Sequence, residues 1–203
     1  MSSRIVFLVV FLAGWTAWVA SCGSTPTPER TSKAALVRRG EFLVDFAGCG
    51  DCHTPKIFTE KGMEPDKSRL LSGHAEGTQL PAIDPSRIGP NEWLLFNNQL
   101  TAAVGPWGIS FAANLTSDEE TGIGRWNEEA FIATMRSGKH WGVGPQILPP
   151  MPWQNLAALP DEELGAIFSY LQSVPPVKNH VPAAMSLDEY AASLEQHGAG
   201  ARP

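Results

Sequence analysis

Cys49-Gly50-Asp51-Cys52-His53 is the stretch that decides how this chain is read. Two cysteines three positions apart, with a histidine directly after them, have the spacing for covalent haem attachment. Each thiol can add across one vinyl group of a porphyrin, and the next imidazole then sits under the iron as its fifth ligand. A bare CxxC would equally suit a thiol–disulfide oxidoreductase. The adjoining histidine, in a chain that carries an export leader, favours haem. The motif occurs once, so one covalent haem c is expected, bound by Cys49, Cys52 and His53.

The third cysteine belongs to the leader. Arg4 is followed by an apolar run from Ile5 to Ala20 and then by Val19-Ala20-Ser21-Cys22. A basic start, a short apolar stretch and a small-residue processing site describe an export signal over residues 1–21. The run is shorter than the ~20 residues of a membrane span. Val-Ala-Ser-Cys resembles a bacterial lipobox, in which the cysteine is lipidated and becomes the mature N-terminus. The mature protein is therefore expected at the periplasmic face of a bacterial membrane, anchored through Cys22. Removing the leader takes away one basic residue and no acidic ones, leaving 14 basic against 21 acidic residues, a net charge of −7. Such a balance excludes nucleic acid as a partner and favours proteins with a basic docking face.

Residues 22–32 form a Pro/Thr/Ser-rich linker, residues 33–182 the expected folded domain and residues 183–203 a tail expected to be peripheral, with a short helix near Leu187–Leu194. From Lys33 to Ala47, Leu36, Val37, Gly40, Leu43 and Val44 recur at helical spacing. Residues 54–113 read as long loops, rich in Pro, Gly and Asn. Ser117 and Glu120 have the spacing of a capping box. Asn127 is set to cap a helix whose apolar face holds Phe131, Ile132 and Met135, ending at Gly138. A last helix from Asp161 to about Ser173 buries Leu164, Ile167, Phe168 and Leu171 and stops before Pro175-Pro176. The expected fold class is all-α: three main helices around one haem, joined by long loops.

The sixth iron position needs a ligand from a distant segment. Met1 leaves with the leader, Met63 lies only ten positions after His53, Met135 falls in a helical apolar stripe, and Met185 lies beyond the last helix. Met151 stands in a Pro-Pro-Met-Pro run whose prolines restrict the backbone around the sulfur. His74, His140, His180 and His197 are rival ligands, and a His53/His140 pair is the second choice.

These residues together resemble the class I c-type cytochromes. The likeness is to the monohaem modules of exported bacterial cytochromes and of the cytochrome subunits of membrane-bound alcohol and sugar dehydrogenases. It runs from about Val37 to Pro182. It rests on Arg39-Gly-Glu-Phe-Leu43, Cys49-Gly-Asp-Cys-His53-Thr-Pro, Leu71-Ser-Gly-His74, Asn114-Leu-Thr, Thr121-Gly-Ile-Gly-Arg-Trp126, Met135-Arg-Ser-Gly-Lys-His140, Leu148-Pro-Pro-Met-Pro-Trp153 and Ile167-Phe-Ser-Tyr-Leu171. The resemblance implies a cytochrome c fold, Met151 as distal ligand, Gly40 at a crossing of first and last helices, and the Asn114 stretch along a haem edge. Two departures stand out. Relatives often read Gly-Arg-Pro before the methionine run, whereas this chain has Gly144-Pro145-Gln146, leaving Arg136 or Lys139 to face a propionate. Pro160 also replaces the usual Ser or Thr cap of the last helix.

A haem iron held on both faces by His53 and Met151 has no position left for substrate. The expected function is a single-electron carrier rather than an enzyme. It would pass electrons from a dehydrogenase or quinol-oxidising complex to a terminal oxidase or other cytochrome. A labile sixth ligand would instead make a peroxidase-like enzyme or gas sensor. The lipobox itself is testable: intact-mass analysis of the mature protein should find acyl chains on Cys22 that Cys22→Ala lacks. An unmodified Cys22 thiol would refute the anchor.

Overall fold

The computed structural model describes residues 32–196, so the leader 1–21, Cys22 and the linker up to residue 31 lie outside the described residues, as does His197. The first helix, α1 (Lys33–Phe46), starts where the Ser32 hydroxyl accepts from the Ala35 amide at 3.1 Å, satisfying one of the amides a helix start leaves open. Its buried positions are Gly40, Leu43 and Val44. They face α5 (Asp161–Leu171), whose inner face is Leu164 to Phe168 and Leu171.

The two helices cross at Gly40, as the resemblance implies. A β carbon there would lie 1.9 Å from the Ala166 carbonyl oxygen and 2.7 Å from Tyr170 Cβ. Backbone therefore rests directly on backbone. The third main helix, α3 (Glu128–Ser137), is capped by Asn127, whose side chain accepts from Ala130 N at 2.9 Å, and ends at Gly138 in the left-handed region. Phe131 of α3 stacks on Phe168 of α5 with ring centroids 5.5 Å apart. With Leu43, Val44, Leu71, Ile123 and Met135 they form the main core. The missing cap of α5 is real: Pro160 offers no side-chain bond, and Asp161, Glu162 and Glu163 fill the first turn instead, where negative charge suits the helix dipole.

The expectation of an all-α chain with three helices needs correction. Two short helices join the main ones, α2 (Cys49–His53) and α4 (Trp153–Ala157), and the helix expected in the tail is present as α6 (Leu187–Gln196), as long as α3. Residues 54–113 hold two small antiparallel sheets. One is a hairpin of β1 (Lys56–Thr59) and β2 (Gly62–Pro65), paired Lys56↔Pro65 to Thr59↔Gly62. The other has order β3-β4-β5 over Leu95–Phe96, Ala102–Gly105 and Gly108–Phe111. These strands escape a periodicity reading because none exceeds four residues. All of β4 is buried and built from Ala, Val and Gly, so it shows no in–out alternation. The capping-box spacing at Ser117 and Glu120 forms no helix. The Ser117 hydroxyl instead donates to Val174 O at 2.6 Å.

The C-terminal segment is not peripheral. Met185 pairs with Ile109 through two backbone hydrogen bonds, Ile109 N to Met185 O at 2.8 Å and the reverse at 3.1 Å. Tyr190 of α6 is buried against Val104 and Ile109, forming a second core with Leu80, Ile83 and Phe111. Among the described residues no helix is long and apolar enough to cross a membrane.

The helix crossing gives a stability test. Alanine at Gly40 gains about 1 kcal/mol of helix propensity, yet relieving so close a backbone approach costs roughly 3 kcal/mol. Gly40→Ala should therefore lower the guanidinium midpoint by the equivalent of about 2 kcal/mol. Gly165→Ala should be neutral or stabilising, since its new β carbon meets only the movable Glu128 carboxylate. Equal midpoints for Gly40→Ala and the parent would refute the crossing.

Candidate cofactor site

Gly48, in the left-handed region at φ 67°, turns the chain from α1 into α2. A residue with a side chain is strained there. The turn brings Cys49 against the main core. Three residues later Cys52 falls on the neighbouring helical position, where i and i+3 side chains meet. Both thiols are free. Burial pushes the Cys49 thiol up to about 11, and burial followed by the charge of Asp51 raises Cys52. Reactive CxxC pairs need the opposite shift, so this pair is poorly suited to thiol–disulfide exchange.

His53 closes α2 and is buried. Its Nδ1 lies 2.8 Å from the Ala113 carbonyl oxygen. A carbonyl can only accept, so Nδ1 carries the proton and Nε2 keeps its lone pair. Burial lowers the ring's pKa, which favours the neutral form. A neutral imidazole, fixed by a backbone acceptor on one nitrogen, is the form that ligates a metal through the other.

The loop after α2 is pinned to the same place. Gly73 N donates to His53 O at 2.7 Å, and His74 N donates to Ala112 O at 2.9 Å. A β carbon on Gly73 would come within 2.6 Å of the Ala113 carbonyl. Thr54, fully buried, accepts from Leu71 N at 3.0 Å. Lys56 is a functional neighbour that no motif singles out. Its ammonium donates to Gly50 O at 3.1 Å, Asp51 O at 2.9 Å and Thr54 O. It thereby satisfies the open carbonyls at the end of α2 with a positive charge. The only sequence signal is a cation three residues beyond a short helix.

Met151 is half-buried and lines an open cavity of about 380 Å³ with Ile147, Pro149 and Trp153. Its loop is fastened at one end by Ile147 N and the Gln146 amide, both donating to Gly138 O at 2.8 and 2.7 Å. Trp153 lies over Gly138, where a β carbon would be 2.4 Å from the indole. Further along the loop, the Ser110 hydroxyl donates to Pro149 O at 2.6 Å. The other methionines have different settings. Met135 is buried in the main core, Met63 is exposed on β2, and Met185 is paired with Ile109.

The rival histidines are distributed just as diversely. His140 is exposed, its ring edge-on to Trp126 at 5.1 Å. His180 is exposed. His74 is fully buried, with Nδ1 2.8 Å from Thr101 Oγ1 and its ring against Phe111, while Nε2 has no hydrogen-bond partner. Arg136 does not stand free to face a cofactor. It donates to Leu159 O at 2.7 Å and to Ala157 O and Asp161, closing the turn between α4 and α5. Asn114 is a corner brace, donating to Val177 O at 2.8 Å and Thr121 Oγ1 at 3.1 Å and accepting from Thr116 N.

A motif for covalent haem, a neutral and oriented histidine and a cytochrome-like helix crossing define the class to which comparison with known proteins is relevant. No family model matches the chain. It is 37% identical over 169 residues to a subunit of the nicotinate dehydrogenase of Pseudomonas putida, a match covering 83% of this chain and 11% of that protein. It is 30% identical over 141 residues to the fructose dehydrogenase cytochrome subunit of Gluconobacter japonicus, covering 68% and 22%. It is 27% identical over 179 residues to the cytochrome c subunit of an alcohol dehydrogenase (quinone) of Gluconobacter oxydans, covering 87% and 32%. The matched stretch thus spans between a tenth and a third of these relatives' length. The resemblance drawn from the motifs holds: the chain is homologous to cytochrome subunits of dehydrogenases. Similarity to cytochrome c subunits implies a cytochrome c fold for the matched stretch.

His74 supplies a pH test. Burial, then the charge of Arg69, lowers its pKa to about 4. Unfolding returns it to about 6.5. Between these values the unfolded chain binds more protons, so this group's contribution is complete above about pH 6.5 and is lost as pH falls toward 4. His74→Gln should flatten the fall of unfolding midpoint across that window. An unchanged slope would show that His74 is not the group responsible.

Proposed function

We propose that this chain is a c-type cytochrome that carries one electron at a time. One haem is attached through Cys49 and Cys52 and ligated by His53 and Met151. The observation that carries the reading is the His53–Ala113 hydrogen bond. It leaves Nε2 with its lone pair available to a metal, directly after two thiols whose ionisation burial disfavours. Homology to cytochrome subunits of dehydrogenases supports the electron-transfer role. The bound haem supplies a one-electron iron couple, and Met151, a thioether, would favour its reduced state relative to a second imidazole.

The chain's own residues hold this site and exclude substrate from it. His53 is fixed from behind by Ala113 and along its backbone by Gly73. Met151 is carried by a proline-rich loop fastened at Gly138 and Ser110. With His53 and Met151 both holding the iron, no position would remain for a reacting molecule, and on this reading the protein acts as a redox subunit rather than an enzyme. Its electron donor on this reading is a dehydrogenase or a quinol-oxidising complex, and its acceptor an oxidase or another cytochrome. We read the mature protein as exported, anchored to the periplasmic face of a bacterial membrane through Cys22. Its folded body comprises residues 33–182, with the segment from 183 packed on it.

Purified protein should give a c-type pyridine haemochrome with one haem per chain, and Cys52→Ser should retain at most one thioether. The oxidised protein should show the far-red charge-transfer band of a Met–Fe(III) bond. Met151→His should keep the haem low-spin, remove that band and lower the reduction potential. Met151→Ala should open the iron to carbon monoxide, and His140→Ala should change little. If His140→Ala turns the haem high-spin while Met151→Ala leaves the spectrum intact, the pair is His53/His140. Wild-type protein that binds carbon monoxide without displacing a ligand would replace the carrier with a sensor or peroxidase-like enzyme.

A further inference from the structure

The loop that bears Met151 is poor in means of holding itself. Pro149, Pro150 and Pro152 have no amide hydrogen. Among the described residues, one hydrogen bond reaches residues 148–151, and it comes from the Ser110 hydroxyl to Pro149 O at 2.6 Å. Ser110 lies on β5, where Ile109 and Phe111 face the second core. Alternation along the strand turns Ser110 the other way, toward the Met151 loop. The residue is almost fully buried. A hydroxyl at such a place costs stability unless it is bonded. This one is held on both sides: the Trp107 indole N–H donates to it at 3.3 Å while it donates onward to Pro149. Trp107 is fixed in turn by Gly105, where a β carbon would lie 2.4 Å from the indole.

Two residues beyond the end of β5 lies Ala113, whose carbonyl receives the His53 Nδ1–H. Three residues of extended chain span about 10 Å. The anchor of the proximal ring and the anchor of the methionine loop are therefore three residues apart on one short segment, whose strand part pairs with β4 and whose Ala112 amide donates to Thr101 O at 2.8 Å. β5 is itself held by β4 on one side and by Met185 on the other.

We propose that Ser110, oriented by Trp107, is a positioning residue for the sixth ligand: it fixes the Met151 loop relative to the His53 face and so sets how readily the thioether leaves the iron. This rests on Met151 being that ligand. The hydroxyl touches neither the haem nor the sulfur. It acts through the Pro149 carbonyl two residues before Met151. Removing it frees a loop whose prolines offer no replacement amide.

The test is the rate at which carbon monoxide displaces the sixth ligand of the reduced holoprotein, with the far-red band and the unfolding midpoint measured alongside. Loss of one net hydrogen bond of ordinary strength corresponds to roughly a fivefold change. Ser110→Ala should bind carbon monoxide about fivefold faster than the parent and show a weaker far-red band. Ser110→Thr, which keeps the hydroxyl, should stay near the parent rate. Trp107→Phe keeps an aromatic ring, smaller than the indole, but loses the N–H donor and should move the rate in the same direction by a smaller factor. It also provides the test if Ser110→Ala yields no holoprotein. A merely structural serine would lower the midpoint and leave the rate unchanged, and parent-like rates in Ser110→Ala and Trp107→Phe overturn the proposal. If Met151→Ala is fast while Ser110→Ala matches the parent, only the role of Ser110 falls. If the parent itself binds as fast as Met151→Ala, the Met151 ligation falls and this inference with it.

Discussion

The hydrogen bond from His53 Nδ1 to the Ala113 carbonyl is the constraint on which the rest of the site depends. Without it the buried ring could take either tautomer and either face. The bond is possible because the carbonyl lies two residues past β5, just after Ala112, whose amide donates to Thr101 O at 2.8 Å, and β5 is held in place by its sheet. The 71–74 loop can press onto the same peptide units because Gly73, at φ 79°, offers no side chain to the Ala112 and Ala113 carbonyls. The helical frame brings the CxxCH turn to the core, but the small sheet orients the ring. The orientation therefore depends on a part of the chain that has no helix.

Loops without ladders must satisfy their backbone by other means. Buried amide side chains do this here. Asn179 donates to Ser72 O at 2.7 Å and His74 O at 2.8 Å, and accepts from Glu76 N at 2.9 Å and Arg69 at 3.2 Å. Every donor and acceptor of its side-chain amide is engaged in a site where an open one costs about 1–3 kcal/mol. Asn114 and Thr116 bond the Val177 backbone in the same way. The segment after α5 is thus stitched to both the 69–76 loop and the 114–121 corner. It belongs to the frame that holds His53.

The helical part of this protein was legible in the sequence, because its signals are long and redundant. Eleven or more residues of periodic apolar positions mark α1 and α5. Asn127 and Gly138 bracket α3, while the close crossing at Gly40 came from the family resemblance. The CxxCH turn was legible from chemistry alone. The sheets were not, for a physical reason: four-residue strands buried along their whole length carry no alternation, and their stability comes from partners distant in sequence, such as Met185 for Ile109. Lys56 and Ser110 were hidden in the same way. Their roles arise from carbonyls they meet in space, and nothing in a lysine or a serine by itself predicts such an acceptor.

The electrostatics of the motif separate it from a redox dithiol. A catalytic CxxC gains its activity at a helix start near positive charge, where the thiolate is stabilised. Cys49 lies against the apolar core with Asp45 and Asp51 nearby, and burial and both carboxylates oppose the thiolate. Lys56 acts the other way on Cys52, yet the net shift there is still upward, led by burial. That lysine is directed instead at the carbonyls of Gly50, Asp51 and Thr54. It stabilises the turn as a rigid piece without activating the sulfurs. The result is a dithiol turn fixed in shape, whose burial disfavours the thiolates, followed at once by a histidine whose lone pair is held in one direction. Those properties suit an attachment point, where sulfur serves as a tether and nitrogen as the ligand.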